Sequence, residues 1–468
     1  MSEDPQEIKP IDDIKVIQLQ PKNLTRLPKQ YVPFPIESLN AEQREAFDAI
    51  AEGKSIFITG PGGTGKSYLI QAIYNLIPGI TGKYVNVTAM TGCAALLLGR
   101  YAKTLHSWAG IGLGRGSSVE LAAQINRSKL GRRRWLSTDI LVIDEVSMLT
   151  SELLDKLNEV AQIVRRDKRP MGGLQIIFVG DFYQLPPVVK ADEQGNREIP
   201  FVFESPVWKE IVSRIIPLKQ IVRQLDPIFQ KILNEARIGE VSKESLDILR
   251  SRQGLQWQNE PIRPSLLHIR RSEVDDINEK NLRALKGERK IFTAETVFAP
   301  LDSFIGLSKE TPEIKRAVEK MDRDAPYMAE LILAVGAQVM LLTNKEPQRG
   351  LVNGSRGIVE GFEGINTVLV QFQHGAPEPI SLSSWESEEI PGLSRKQIPL
   401  RLAYAITIHK AQGATLDSAL IDIGSNTFEY GQAYVALSRV KSLDSLYIWD
   451  VEPSAFRAHP KVKKFYSE

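Results

Sequence analysis

Short apolar runs, each stopping at a polar or glycine-rich turn, set the rhythm of this chain from residue 38 onward. SIFITG (55–60), KYVNVTA (83–89), DILVIDE (139–145) and LQIIFVGD (174–181) are β-branched and nearly continuous, as strands buried on both faces must be. Between two of them, SELLDKLNEVAQIVRR (151–166) sets Leu153, Leu154, Leu157, Val160, Ala161 and Val164 at helical spacing. AEQREAFDAI, following Asn40, reads as a helix with that asparagine as N-cap. Strands alternating with amphipathic helices predict a parallel sheet with helices on both faces, a first α/β domain from roughly 38 to 216.

The flanking text is different. Residues 1–37 carry prolines at 5, 10, 21, 28, 33 and 35 with little periodicity, and predict an extended arm. In the second half, 227–237 and 244–252 look helical, and Ser265–Ile269 reads as a strand feeding the helix SEVDDINEKNLRAL. Between 350 and 399, GIVEGF, NTVLVQF and PISLSSW are short strands split by turns, which predicts a small β-barrel inserted in a larger α/β unit. Helix and strand patterns resume from Leu400 to the end. The two α/β halves suggest two nucleotide-fold lobes.

Composition narrows the class only a little. A length of 468 residues suits about three domains. Lys and Arg total 59 against 57 Asp and Glu, a net +2, which excludes a strongly basic histone-like binder but leaves room for a local basic groove. One cysteine, Cys93, rules out an intrachain disulfide and a four-cysteine metal site. No run of about eighteen apolar residues appears, and the opening MSEDPQEIKP is acidic, unlike a signal peptide. The expectation is a soluble, intracellular chain with no membrane association.

The sharpest chemistry lies at Gly60-Pro61-Gly62-Gly63-Thr64-Gly65-Lys66-Ser67, a match to G-x-x-x-x-G-K-[ST] that follows a strand and opens a helix. In that placement the glycines let successive N–H groups face a phosphate, and the helix N-terminus adds positive potential. Lys66 supplies a mobile charge to the β- and γ-phosphates, and Ser67 a hydroxyl to Mg²⁺. DILVIDE then delivers Asp144 and Glu145 to the carboxyl end of a buried strand, the edge where open sheets bind ligands. Asp144 is expected to hold Mg²⁺, and Glu145 to position and deprotonate an attacking water. LQIIFVG ends in DFYQLPP (181–187), where Gln184 could sense a γ-phosphate, although a glutamine before two prolines is more often a loop residue.

These segments, with VTAMTGCAA (87–95), TLHSWAGIGLG (104–114), FVFESPVW (201–208), LVNGSRGIVEGF (351–362), LRLAYAITIHKAQGATL (400–416) and GQAYVALSRV (431–440), resemble the petite-integration-frequency (Pif-type) DNA helicases, a 5′-to-3′ branch of superfamily one. The resemblance covers nearly all of the chain after residue 38, and its most specific part is the stretch 155–188. Departures are modest: Met90, Cys93, Trp108, Tyr183 and Tyr404 stand where the family usually has Ser, Ile, Phe, Phe and Trp.

The resemblance implies two RecA-like P-loop lobes with parallel sheets, 38–216 and 217–349 plus 400–468, with a small wedge loop near 97–115. It also implies an SH3-like β insert at 350–399. The implied activity is ATP-dependent translocation on single-stranded DNA and unwinding of tailed or forked duplex in replication, repair, recombination or telomere maintenance. ATP and Mg²⁺ would serve as cofactors, and the chain would act as a monomer, although oligomerisation is open. Gln43 would read the adenine edge. Arg223 and Arg439 would be arginine fingers from the second lobe. Thr88, Thr91, His106 and Trp108, with His409 and Lys410, would line the strand. Trp108 has a competing role as core beneath its loop, and Arg132-Arg133-Arg134-Trp135 reads first as a solvated charge run. A metabolic P-loop kinase and a non-motor ATP-gated adaptor remain as alternatives.

Overall fold

A computed structural model of the protein describes residues 34–99, 101–112, 114–189, 198–257, 262–299, 310–346, 349, 351–373, 375–387, 390, 392–425, 427 and 429–467. Of the expected N-terminal arm, residues 1–33 lie outside the described residues, as do positions 100 and 113 of the wedge loop.

The first half builds a six-stranded sheet from β1 (Ile56–Thr59), β2 (Val85–Ala89), β3 (Ala102–Thr104), β4 (Ile140–Asp144), β5 (Gln175–Val179) and β6 (Arg214–Pro217). Their order is β3-β2-β4-β5-β1-β6, and every pairing is parallel. The continuous apolar runs are explained by burial on both sides. Ile56, Ile58, Ile140, Val142, Ile177 and Val179 enter one core, and Phe57, Leu141, Ile143, Ile176 and Phe178 enter the other. Alternate residues of one strand therefore serve two layers, as the pleat requires.

Helix α1 (Ala41–Ala51) starts at Asn40 as expected, in a capping box with Gln43. Helix α2 (Lys66–Thr81) springs from the P-loop. The predicted helix at 151–166 spans Ser151–Arg165 and buries Leu154, Leu157, Val160, Ala161 and Val164, with Leu153 only partly buried.

A second parallel sheet follows, with strands in the order Ala405–Thr407, Ser265–His268, Ala419–Ile423, Leu446–Val451. The antiparallel region is wider than 350–399. Its five-stranded sheet includes Gln338–Leu341 and Leu400–Leu402 beside Arg356–Glu363, Thr367–Phe372 and Glu378–Ser381. Glu295–Phe298 joins Ser383–Glu386 and Leu393–Gln397, and Arg289–Thr293 pairs with Glu330–Ala334. These flanking strands are short, and Arg289–Thr293 buries only Phe292.

The last helix, Pro460–Ser467, leaves the second sheet and packs against the first core. Phe465 lies 4.5 Å from Phe203 and 5.2 Å from Phe182 between ring centroids. Among the described residues no helix is long and apolar enough to cross a membrane.

Candidate functional site

The site forms where the carboxyl ends of β1, β4 and β5 meet the second α/β unit. Gly63 and Gly65 hold φ of +87° and +81°, a region only glycine adopts freely. A Cβ on Gly63 would lie 2.7 Å from Arg223 Cβ, and one on Gly65 2.5 Å from Gln43 Nε2. The loop is therefore clasped closely from two sides. Val222 and Arg223 both donate backbone N–H groups to the Gly63 carbonyl.

Lys66 Nζ donates to the carbonyls of Gly60 and Pro61 at 2.7 and 2.8 Å. Burial pulls its pKa below the ordinary lysine value, against the opposing pull of Asp181, Glu145 and Asp144. Asp144 is pushed up to about 7 by burial and by Glu145 beside it. Burial also raises Glu145, against Lys66 and Arg439. Glu145 sits at φ 55°, ψ 42°, a left-handed conformation unusual for a side-chain-bearing residue, so the chain turns sharply just as the second acid leaves the strand. Two adjoining buried carboxyls beside one lysine favour further positive charge, which fits a divalent cation on Asp144 and the Ser67 hydroxyl. Among the described residues no three His, Cys, Asp or Glu side chains gather to hold a metal alone; one carboxylate and one hydroxyl suit Mg²⁺, which is ordinarily bound by few protein ligands with water and phosphate oxygens.

The second unit supplies the rest. Arg439 is 2% exposed. Its guanidinium donates to the carbonyls of Val435, Ala411 and Ala414 and to Ser438 Oγ. Burial and the neighbouring Arg223 push its pKa down to about 9. Arg223 Nη1 donates to the Ser438 carbonyl at 3.3 Å, and burial lowers its pKa too. Both arginines thus stand within electrostatic reach of Glu145.

Gln184 is buried, its N–H bonded to the Asp181 carbonyl. Gln43 is committed inside the protein: Oε1 accepts from Asn40 N–H, and Nε2 faces the carbonyls of Thr64 and Gly65 at 3.4 and 3.5 Å.

The residues expected to line the strand fall into two groups. Thr91 caps the helix Gly92–Leu98, and His106, His409 and Lys410 are half-buried. Two members belong to the core instead. Thr88 is fully buried on β2 and donates Oγ1 to the Val142 carbonyl at 2.7 Å. Trp108 is 1% exposed, its ring 4.7 Å from that of Trp135. The Thr88 hydroxyl is thus turned into the sheet, and Trp108 presents no face on which a base could stack. Trp135 is likewise core and donates Nε1 to the Ala109 carbonyl, leaving Arg132 and Arg133 as the exposed part of that charge run.

Four residues at the junction had no role in the sequence reading. Asp181, fully buried, takes two 2.8 Å hydrogen bonds from Arg237 of the helix Pro227–Ile238. Burial opposes the charge on Arg237, but Asp181 outweighs it and raises the pKa. Tyr434 OH accepts from Gly62 N–H, and Gln412 Nε2 donates to Glu145 Oε2 at 2.8 Å. The one available signal was that Asp181 lies just beyond the carboxyl end of β5, on the same sheet edge as Asp144.

A sequence model of the family described as PIF1-like helicase matches residues 38–249, and one of the DNA helicase Pif1 2B domain matches 320–362. The chain is 40% identical over 443 residues to the mouse ATP-dependent DNA helicase PIF1, covering 94% of this chain and 64% of that protein. It thus spans less than two thirds of the length of that relative. The crystal structure of the Pif1 helicase from Candida albicans superposes with a TM-score of 0.74 at 36% identity, over 92% of this chain and 99% of that one. A Bacteroides Pif1 in complex with ADP-AlF4 gives 0.73 at 28% identity, over 92% and 96%.

Proposed function

The chain belongs to the PIF1-like helicase family, and from that premise we propose that it is an ATP-dependent DNA helicase that moves 5′-to-3′ on single-stranded DNA. The observation that carries the reading is the convergence of Arg223, Gln412, Tyr434 and Arg439 on the P-loop and acids of the first lobe. A kinase that only transfers phosphate has no need of a second lobe there, whereas a motor must couple hydrolysis to lobe movement.

In this reading the lobes are 38–216 and the chain from 217 onward, less an SH3-like insert centred on 350–399. Lys66 holds the β- and γ-phosphates, while Ser67 and Asp144 hold Mg²⁺, which neutralises phosphate charge when bound. Glu145 takes a proton from the attacking water. Arg223 and Arg439 stabilise the charge that develops on the transferred phosphate. Gln184 relays the loss of the γ-phosphate, and Gln43 reads adenine by exchanging its contacts to the P-loop. Thr91, His106, His409 and Lys410 grip the strand. Both lobes lie in one chain, so a monomer suffices for the cycle.

The test is strand displacement on duplexes carrying a 5′ or a 3′ tail, with ATP hydrolysis followed with and without single-stranded DNA. ATP-dependent displacement of the 5′-tailed duplex is expected, abolished in Lys66→Ala. Hydrolysis indifferent to single-stranded DNA, with no displacement, would leave a kinase-like or adaptor protein.

A further inference from the structure

Gln412 follows the short helix Ile408–Ala411 of the second lobe, yet its side chain ends on the first. It is 6% exposed, and Nε2 donates to Glu145 Oε2 at 2.8 Å. The other end of the amide, Oε1, is buried without a hydrogen-bond partner. A buried acceptor left unmade is costly and calls for a donor. The orientation of the amide is set by chemistry, since an ionised carboxylate can only accept. Oε1 therefore lies one amide width from Glu145.

The backbone around Gln412 is held in place. Arg439 Nη1 donates to the carbonyls of both Ala411 and Ala414, one residue before Gln412 and two after. Gly413, at φ +80°, approaches so closely that a Cβ there would lie 2.7 Å from Leu97 Cδ1 of the helix Gly92–Leu98. The turn that carries Gln412 is thus pinned from its own lobe and pressed against the other.

We propose that Gln412 is a positioning residue for hydrolysis, its Nε2 fixing the Glu145 carboxylate and its Oε1 accepting the second hydrogen of the attacking water. This rests on the reading of Glu145 as the base. The water oxygen bonds to the γ-phosphorus as the bond from phosphorus to the ADP oxygen breaks. One water proton passes to Glu145. The other stays on the phosphate product, having been held by Gln412 Oε1 during attack. Two acceptors on one water aim its lone pair, which is how orientation lowers a barrier. Because one acceptor comes from each lobe, the water is aligned only when the lobes are apposed, and hydrolysis in an open cleft is suppressed.

The experiment uses the full chain with saturating single-stranded DNA and compares wild type, Gln412→Leu, Gln412→Asn, Glu145→Gln and the double variant Glu145→Gln/Gln412→Leu. Gln412→Leu should lower kcat about 10²-fold, with KM for ATP, single-strand affinity and Tm unchanged. Affinity for ADP–AlF4 should fall by the same factor as kcat, while affinity for a non-hydrolysable ATP analogue holds. Gln412→Asn, one methylene short, should lose activity without losing the fold. In the Glu145→Gln background the Gln412→Leu change should add little, because both act on one water. An unaffected kcat, a loss that multiplies with Glu145→Gln, or a loss confined to KM or Tm each overturns the proposal. Equal turnover in wild type and Glu145→Gln instead removes the base assignment itself, a result separate from an inert Gln412→Leu beside a crippled Glu145→Gln.

Discussion

The phenolic oxygen of Tyr434 accepts the amide hydrogen of Gly62 at 2.7 Å. A side chain on the helix Gln432–Leu437 of the second lobe thereby caps a backbone donor of the P-loop. Burial raises the tyrosine pKa well above its ordinary value, so the group stays neutral. Its own proton points toward Asp181 Oδ2 at 3.5 Å. One hydroxyl thus links the loop that cradles phosphate to the acid just beyond β5.

Tyr434→Phe keeps the ring and strands the Gly62 N–H. The change should lower stability by about 1–3 kcal/mol and weaken ATP binding, because the loop loses its anchor to the second lobe. Calorimetric titration of a non-hydrolysable ATP analogue checks this; full affinity with an unchanged Tm would mean the contact is incidental.

The Asp181–Arg237 pair is expected to be far more sensitive. Arg237→Leu leaves a fully buried carboxylate without its partner, which should cost about 3–5 kcal/mol. Arg237→Lys should rescue only part of this, since an ammonium cannot reproduce the two-pronged geometry. Urea unfolding of the three proteins would show the order wild type, Lys, Leu; a lysine variant as stable as wild type contradicts it.

Trp108→Ala should behave as a core truncation. Its indole is buried against Trp135, so the expected loss is about 3–5 kcal/mol of folding stability. Single-strand affinity of the folded fraction should stay near wild type. A large loss of affinity at unchanged Tm would restore the stacking role that the sequence suggested.

The terminal helix is expected to act as a strap. Phe465 packs among Phe57, Phe182, Phe203 and Trp208, and Tyr466 OH meets Thr59 Oγ1 at 2.7 Å and the Phe182 N–H at 3.2 Å. Phe465→Ala should lower stability by about 1.5–3 kcal/mol and speed proteolysis of the C-terminus. Wild-type resistance to limited proteolysis in this variant would show that the helix does not depend on that anchor.

Acid should weaken the fold through histidines. Burial holds His106, His409 and His459 below the ordinary imidazole value, so the unfolded chain binds more protons than the folded one below about pH 6.5. Stability from these groups is therefore full above that pH and is lost as pH falls toward their folded values. His409→Gln should flatten the fall in Tm between pH 7.5 and 5.5; an identical slope would refute its share.

The sequence by itself determined what depends on neighbours along the chain. The P-loop, the acids that end β4, the Asn40 cap and the helix at 151–165 were legible because each is set by contiguous spacing, strand or helix period and local backbone chemistry. Where both faces of a sheet are buried, however, an apolar run does not say which residue meets which layer. Thr88 and Trp108 could be given to a binding track on sequence grounds, and only the packed layers put them in the core. The antiparallel region reached beyond 350–399 because its outer strands pair across long stretches of chain. The junction was least visible of all. Gln412 meets Glu145, Tyr434 meets Gly62 and Tyr466 meets Thr59 across separations of 267, 372 and 407 residues. No period or motif encodes such pairs, because they exist only once two separately folded sheets have been brought together.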